Sequence, residues 1–181
     1  MDELERDLSR LLEEAATKVG VERRGGVLEA VASTTTKAFG LRPDELAILI
    51  LTRDRTLPEF VYPTELAEGG TNTFPLSVPS VAGSVAQIGR SVLTNAAHEM
   101  PRLDFYERIR IGEERPRQIQ KLLAVGVKEP GGKVRLVIEV SRRGDTLMEA
   151  GPDFRLEDQL MVERLAVAAA PAFAAAFEWT A

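Results

Sequence analysis

The stretch from Gln118 to Asp158 constrains the fold most. Leu122 to Val127 is a short apolar run, and Lys133 to Arg142 is a second run rich in Val, Ile and Leu. Lys128-Glu129-Pro130-Gly131-Gly132 lies between them. Proline cannot donate to a strand ladder and glycine takes positive φ without steric cost, so this segment is a predicted hairpin loop. In the second run Val134, Leu136, Ile138 and Val140 fall on one face, and Arg135, Val137, Glu139 and Ser141 on the other. A loop follows, and Glu157-Asp158 opens a long helical pattern. The frame is strand, hairpin, strand, loop, terminal helix.

Composition narrows the class. At 181 residues the chain can build one good core. A formal net charge of −5 argues against nucleic acid as a partner, because phosphate-backbone binding needs a concentrated basic face. The absence of cysteine removes disulfides, thiolate metal sites, thiol nucleophiles and thioether attachment of a bilin. It fits a reducing cytoplasm, and the acidic start Met1-Asp2-Glu3-Leu4-Glu5 has no apolar signal core, so a cytoplasmic location is expected. The most apolar helical stretch, Leu165 to Phe177, is shorter than the ~18 residues of a membrane span. No membrane partner is expected.

Leu4, Leu8, Leu11, Leu12, Ala15 and Val19 recur at steps of three and four, which predicts an amphipathic helix over Asp2–Lys18, with Gly20 as its stop. Two readings stand: a helix packed on its own domain, or one whose Leu4, Leu8, Leu11 and Ala15 form a dimer seam. Gly25 and Gly26 separate it from a second helix ending at Gly40, in which the hydroxyls of Ser33-Thr34-Thr35-Thr36 bond back to the preceding turn. Strands are predicted at Leu46–Leu51, Glu59–Tyr62, Thr73–Val78 and Ser91–Thr94. A small helix after Ser80 ends at Gly89, with Val81, Val85 and Ile88 on one face. From Asn95 to Ile119 the pattern breaks into mixed charge, with one helical piece at Arg102–Ile109. The organisation is residues 1–22 as an N-terminal helix and 23–181 as the main α+β unit.

Four segments resemble the GAF domain family. Ser80-Val81-Ala82-Gly83-Ser84-Val85-Ala86-Gln87-Ile88-Gly89-Arg90 resembles its small helix and the following turn, and Gln120-Lys121-Leu122-Leu123-Ala124-Val125 a core strand. Val134 to Val140 resembles the strand after it, and Phe154 with Glu157-Asp158 the opening of the last helix. Gly126 stands where the family often has proline, and the Asn-Lys-x-Asp signature of cyclic-nucleotide-binding members is missing. The resemblance covers residues 24 to 178 and extends to small stand-alone bacterial GAF proteins. It implies an antiparallel sheet of about six strands, terminal helices on one face, and a small-molecule pocket on the other under an irregular loop. It also implies a homodimer through the terminal helices and a signal passed to a downstream partner. A dimerisation or protein-interaction scaffold without a ligand is the alternative.

No enzyme is expected. Free methionine sulfoxide reductase, a GAF-type enzyme, works through thiols, and this chain has none. The expected ligand-binding residues are His98, Arg102, Tyr106 and Gln118 from the irregular segment, Tyr62 from the sheet and Ser84 from the small helix. His98 is the only histidine; it could contact a ligand or haem iron, but local hydrogen bonding is the simpler account, so no haem and no metal site are expected. The arginines between Arg102 and Arg117 favour an anionic ligand, though Asp104, Glu107, Glu113 and Glu114 lie among them, and a salt-bridged surface explains the set more simply.

Overall fold

A computed structural model describes residues 3–52, 54, 58–64, 80–100 and 117–179. The elements are α1 (Glu3–Ala16), α2 (Gly20–Phe39), β1 (Leu46–Leu51), β2 (Pro58–Tyr62), α3 (Val81–Ile88), β3 (Val92–Thr94), β4 (Ile119–Lys128), β5 (Val134–Arg143) and α4 (Leu156–Ala176). Among the described residues five antiparallel strands form one sheet in the order β2-β1-β5-β4-β3. The hairpin supplies its middle, and β1 pairs with the far side of β5. The strand expected at Thr73–Val78 and the helical piece at Arg102–Ile109 lie outside the described residues.

Helices α1, α2 and α4 cover one face. Ile48 of β1, Leu123, Val125 and Val127 of β4, and Leu136, Ile138 and Val140 of β5 meet Val162, Leu165, Ala169 and Phe173 of α4 in one core. Each fully buried Leu, Ile or Phe contributes roughly 1.5–3 kcal/mol over its exposed state. The apolar stripe of α1 points inward too: Leu8 and Ala15 are buried, and Leu4, Leu11 and Leu12 pack on the same core. Asp158 accepts a hydrogen bond from the Arg155 amide at 2.7 Å and so starts α4. Just before it, the Asn95 side chain bonds both the amide and the carbonyl of Phe154, each at 2.9 Å.

Three local expectations are corrected. Gly25 and Gly26 do not separate two helices: α2 begins at Gly20 and runs through both. The reason is close packing, because a Cβ on Gly26 would lie 3.0 Å from the Ala15 Cβ of α1. Arg23 then caps α1, donating to the carbonyls of Lys18 at 2.7 Å and Ala16 at 3.1 Å. Val134 does not share a face with Leu136. A register shift between Val127 and Lys128 turns it to the opposite side of the sheet, where it packs with Val85 and Val137. Ile88 ends α3 at 68% exposure instead of joining Val81 and Val85 in the interior. The back-bonding hydroxyls of α2 are present, with Thr35 donating to the Val31 carbonyl at 2.7 Å and Ser33 to that of Ala30 at 3.3 Å.

Helix α4 is longer than its most apolar stretch. It starts at Leu156, and by length and composition it could cross a membrane. Here its Val162, Leu165, Ala166, Ala169, Phe173 and Ala176 face the sheet, as in the core helix of a folded domain. Pro171, inside the helix, sits on its exposed side, where the carbonyl it leaves without an N–H donor can meet water.

Candidate functional site

The sheet face opposite α1, α2 and α4 is covered by α3. Ser80 caps this helix by accepting from the Gly83 amide at 3.0 Å. Gly89, at φ 72°, closes it and donates to the Val85 carbonyl. Val81, Ala82 and Val85 point down onto Leu49, Phe60, Leu122, Ala124, Val134 and Val137. Gly126 makes this approach possible: a Cβ there would meet Val134 Cγ2 at 2.7 Å and Val85 Cγ1 at 3.3 Å.

Glu139 stands in the middle of this apolar floor. Alternation along β5 puts it between Val137 and Ser141. Its direct partners on the flanking strands are Ala47 of β1 and Ala124 of β4. Two methyl groups therefore border the carboxylate, and neither rises above it. The residue is only 4% exposed. Carboxylates so deeply buried are rare and costly unless they serve a partner or a site.

The polar groups at the end of β5 satisfy one another. Glu45, 5% exposed, accepts from the Arg42 amide and guanidinium, each at 2.9 Å, and from the Arg143 amide at 2.8 Å. Ser141 donates to the Glu45 carbonyl at 3.3 Å. The Arg143 guanidinium lies 3.8 Å from Asp44 and donates to the Arg117 carbonyl at 3.2 Å. Gln120 donates to the Gly144 carbonyl at 2.9 Å. This network fastens the strand ends.

Of the residues expected at a site, Arg102 and Tyr106 lie outside the described residues. His98 is exposed on a 3-10 turn, Ala97–Glu99, with its Nε2 3.7 Å from the Glu99 carboxylate. Gln118 is exposed just before β4; its side-chain oxygen faces Gln120 at 3.4 Å. Ser84 is on the outer side of α3 and donates to the Ser80 carbonyl at 3.0 Å. Tyr62 is half-buried and packs against the core shared with α1, α2 and α4. The structure does not gather these four on the floor beneath α3. Glu139, Ala47 and Ala124 are gathered there instead. The available signal was an acid inside a run of Val, Leu and Ile; the two alanines become visible only through cross-strand pairing. Among the described residues no group of three or more His, Asp or Glu is placed to hold a metal ion.

Solved structures match this arrangement over its whole length. The GAF domain of an Acinetobacter phosphoenolpyruvate-protein phosphotransferase superposes with a TM-score of 0.68 at 18% identity, covering 100% of this chain and 99% of that one. The chain has the GAF fold. The GAF domain of the corresponding Coxiella burnetii protein gives a TM-score of 0.67 at 14% identity, covering 97% and 95% of the two chains. Free methionine-R-sulfoxide reductase from Neisseria meningitidis, solved in complex with its substrate, gives 0.62 at 14% identity, covering 98% and 94%. No protein-family model matches the sequence, and no curated protein matches it. The GAF fold is typical of sensory and regulatory domains that bind small molecules, and the floor beneath α3 is the face to which the sequence resemblance assigns the ligand.

Proposed function

We propose that this protein is a small-molecule sensor whose ligand is held against the floor beneath α3. Glu139 carries the reading: a carboxylate 4% exposed, bordered by Ala47 and Ala124, at the centre of an otherwise apolar sheet face. Such a floor suits a ligand with an apolar body, with the Glu139 carboxylate as the polar group that orients it. The absence of cysteine keeps the reading apart from thiol-based sulfoxide reduction, and the role proposed is binding without turnover.

The signal would leave through a homodimer. The seam on α1 is used within the chain, so the exposed side of α4 is the contact proposed. Leu156 (62% exposed), Leu160 (49%) and Val167 (75%) line that side, together with Pro171. Light scattering of wild type against a Leu160→Glu, Val167→Glu variant tests it: a dimer becoming a monomer supports it, and a monomer in both removes it. A ligand-free scaffold is the second reading, favoured by the packing of Leu49, Phe60, Val81, Val85, Leu122 and Val137 on the same face. Native mass spectrometry of protein purified from its own host, followed by thermal-shift screening of metabolites, separates the two. A retained compound, or a melting temperature raised by mass action, supports the sensor; a bare chain that no metabolite stabilises supports the scaffold.

A further inference from the structure

A cavity lies at the edge of the sheet, outside the floor beneath α3. It is a groove of about 720 Å³ between α4 and the outer edge of β4. The groove exists because β3 is too short to cover its neighbour. β3 pairs only with Leu122, Leu123 and Ala124, whereas β4 continues to Lys128. The chain before β3 turns away at Gly89, whose left-handed backbone ends α3. Val125, Gly126, Ala166, Val167 and Ala170 give the groove an apolar wall and floor.

Its polar groups are unevenly satisfied. Glu163 is engaged: Ser91 Oγ donates to its Oε1 at 2.6 Å and Gln159 Nε2 at 2.9 Å. The Ser91 bond also ties the entry to β3 onto α4, so the groove is held open before anything enters it. Arg90 and Lys128 face the same space, and among the described residues neither side chain makes an ion pair or hydrogen bond. The volume falls within the roughly 300–1,000 Å³ of small-molecule sites. Two unengaged cations beside an apolar wall, with the one acid already holding two donors, select an anion carrying an apolar body.

We propose that this groove is a second ligand site, taking a carboxylate or phosphate with a short aliphatic or aromatic tail. The head group sits between Arg90 and Lys128, and the tail lies along Val125, Ala166, Val167 and Ala170. The site is independent of the floor around Glu139 and of the ligand proposed there.

The test is an amide chemical-shift titration of the full chain with four probes: octanoate, octyl phosphate, octanol and octylammonium. Saturable shifts at Arg90, Ser91, Gly126, Lys128, Glu163 and Val167 are expected with octanoate or octyl phosphate. Octanol binds at least tenfold more weakly and octylammonium does not shift these amides. Whichever anion shifts them tells carboxylate from phosphate. A double variant, Arg90→Ala with Lys128→Ala, changes two side chains that anchor nothing else. It is expected to melt like wild type and to lose at least tenfold in affinity. A Glu139→Gln variant is expected to bind the anion unchanged. The proposal is overturned if neither anion moves these amides, if octylammonium binds as well, or if the double variant binds equally. It is also overturned if the amides of Arg90, Ser91, Gly126 and Lys128 shift with protein concentration alone, because a second copy then fills the groove. Should the double variant fail to fold, Ala170→Glu supplies the charge test in its place, and unchanged anion binding there overturns the proposal.

Discussion

Ile138 and Glu139 are neighbours on β5, and their side chains point to opposite faces of the same sheet. On the Ile138 side, three helices close over a core of Val, Leu, Ile and Phe. On the Glu139 side, one short helix covers an apolar floor with a carboxylate at its centre. The first face is what folding alone asks for. The second carries a buried acid at one position, and the proposed reading gives that face the ligand, so that stability and binding divide across a single layer of backbone.

Substitutions on the two faces can break or sharpen this contrast. Ile138→Ala should give the largest loss, about 2–5 kcal/mol in denaturant unfolding, because the site is fully enclosed and cannot collapse. A small loss would mean that the helix side is not the stabilising core. Gly126→Ala acts on the other face. Its methyl group would meet Val134 Cγ2 at 2.7 Å, so α3 must lift or Val134 must move, at about 1–3 kcal/mol. Unchanged stability would show that α3 is not seated as described.

A smaller effect is expected at Arg24. It donates to the Ala176 carbonyl at 3.0 Å, at the end of α4, and lies 5.7 Å above the Phe177 ring. Arg24→Ala should cost about 1 kcal/mol, or roughly 2–4 °C in melting temperature. The smallest effect belongs to Asp7 and Lys37, which join α1 to α2 at 3.0 Å on the surface. The hydrogen bond and charge of Lys37 hold the Asp7 carboxyl below its usual 3.8, and Asp7 in turn raises Lys37 above 10.5. The depressed carboxyl stabilises the fold above pH 3.8 and loses that contribution as pH falls through its folded value. The raised ammonium contributes below pH 10.5 and is lost as pH rises through its folded value. Both groups are exposed, so melting curves of Asp7→Asn and wild type should nearly coincide at neutral pH and converge fully in acid. A separation that widened in acid would contradict the assignment.

The helix side of the sheet was legible in the sequence because it depends on local period. Alternation in Leu136, Ile138 and Val140, the caps at Ser80 and Gly89, and the acids opening α4 all act within a few residues. The misreadings came from contacts between distant segments. Gly26 looked like a break because its helical role rests on Ala15 of another helix. Val134 followed the alternation on paper, but the register shift at the hairpin turned it over. The candidate site was the least legible part. His98, Gln118 and Ser84 were chosen for residue type and for the segment they occupy, and all three point to solvent or to local bonds. Glu139 was read only as a member of the second face of its strand. Its meaning depends on Ala47 and Ala124, which lie far from it in sequence and next to it in the sheet.

The division between the faces is tested most directly by thermal unfolding of wild type and Glu139→Gln side by side, each with and without the metabolite that stabilises wild type. The substitution keeps the shape of the side chain and removes its charge. The account predicts melting temperatures within ~3 °C of each other without ligand, a shift of under about 1 kcal/mol, and loss of the ligand-induced rise in the variant alone. A variant that melts far below wild type would make the carboxylate a structural element. A variant that the ligand stabilises as fully as wild type would place the binding site elsewhere.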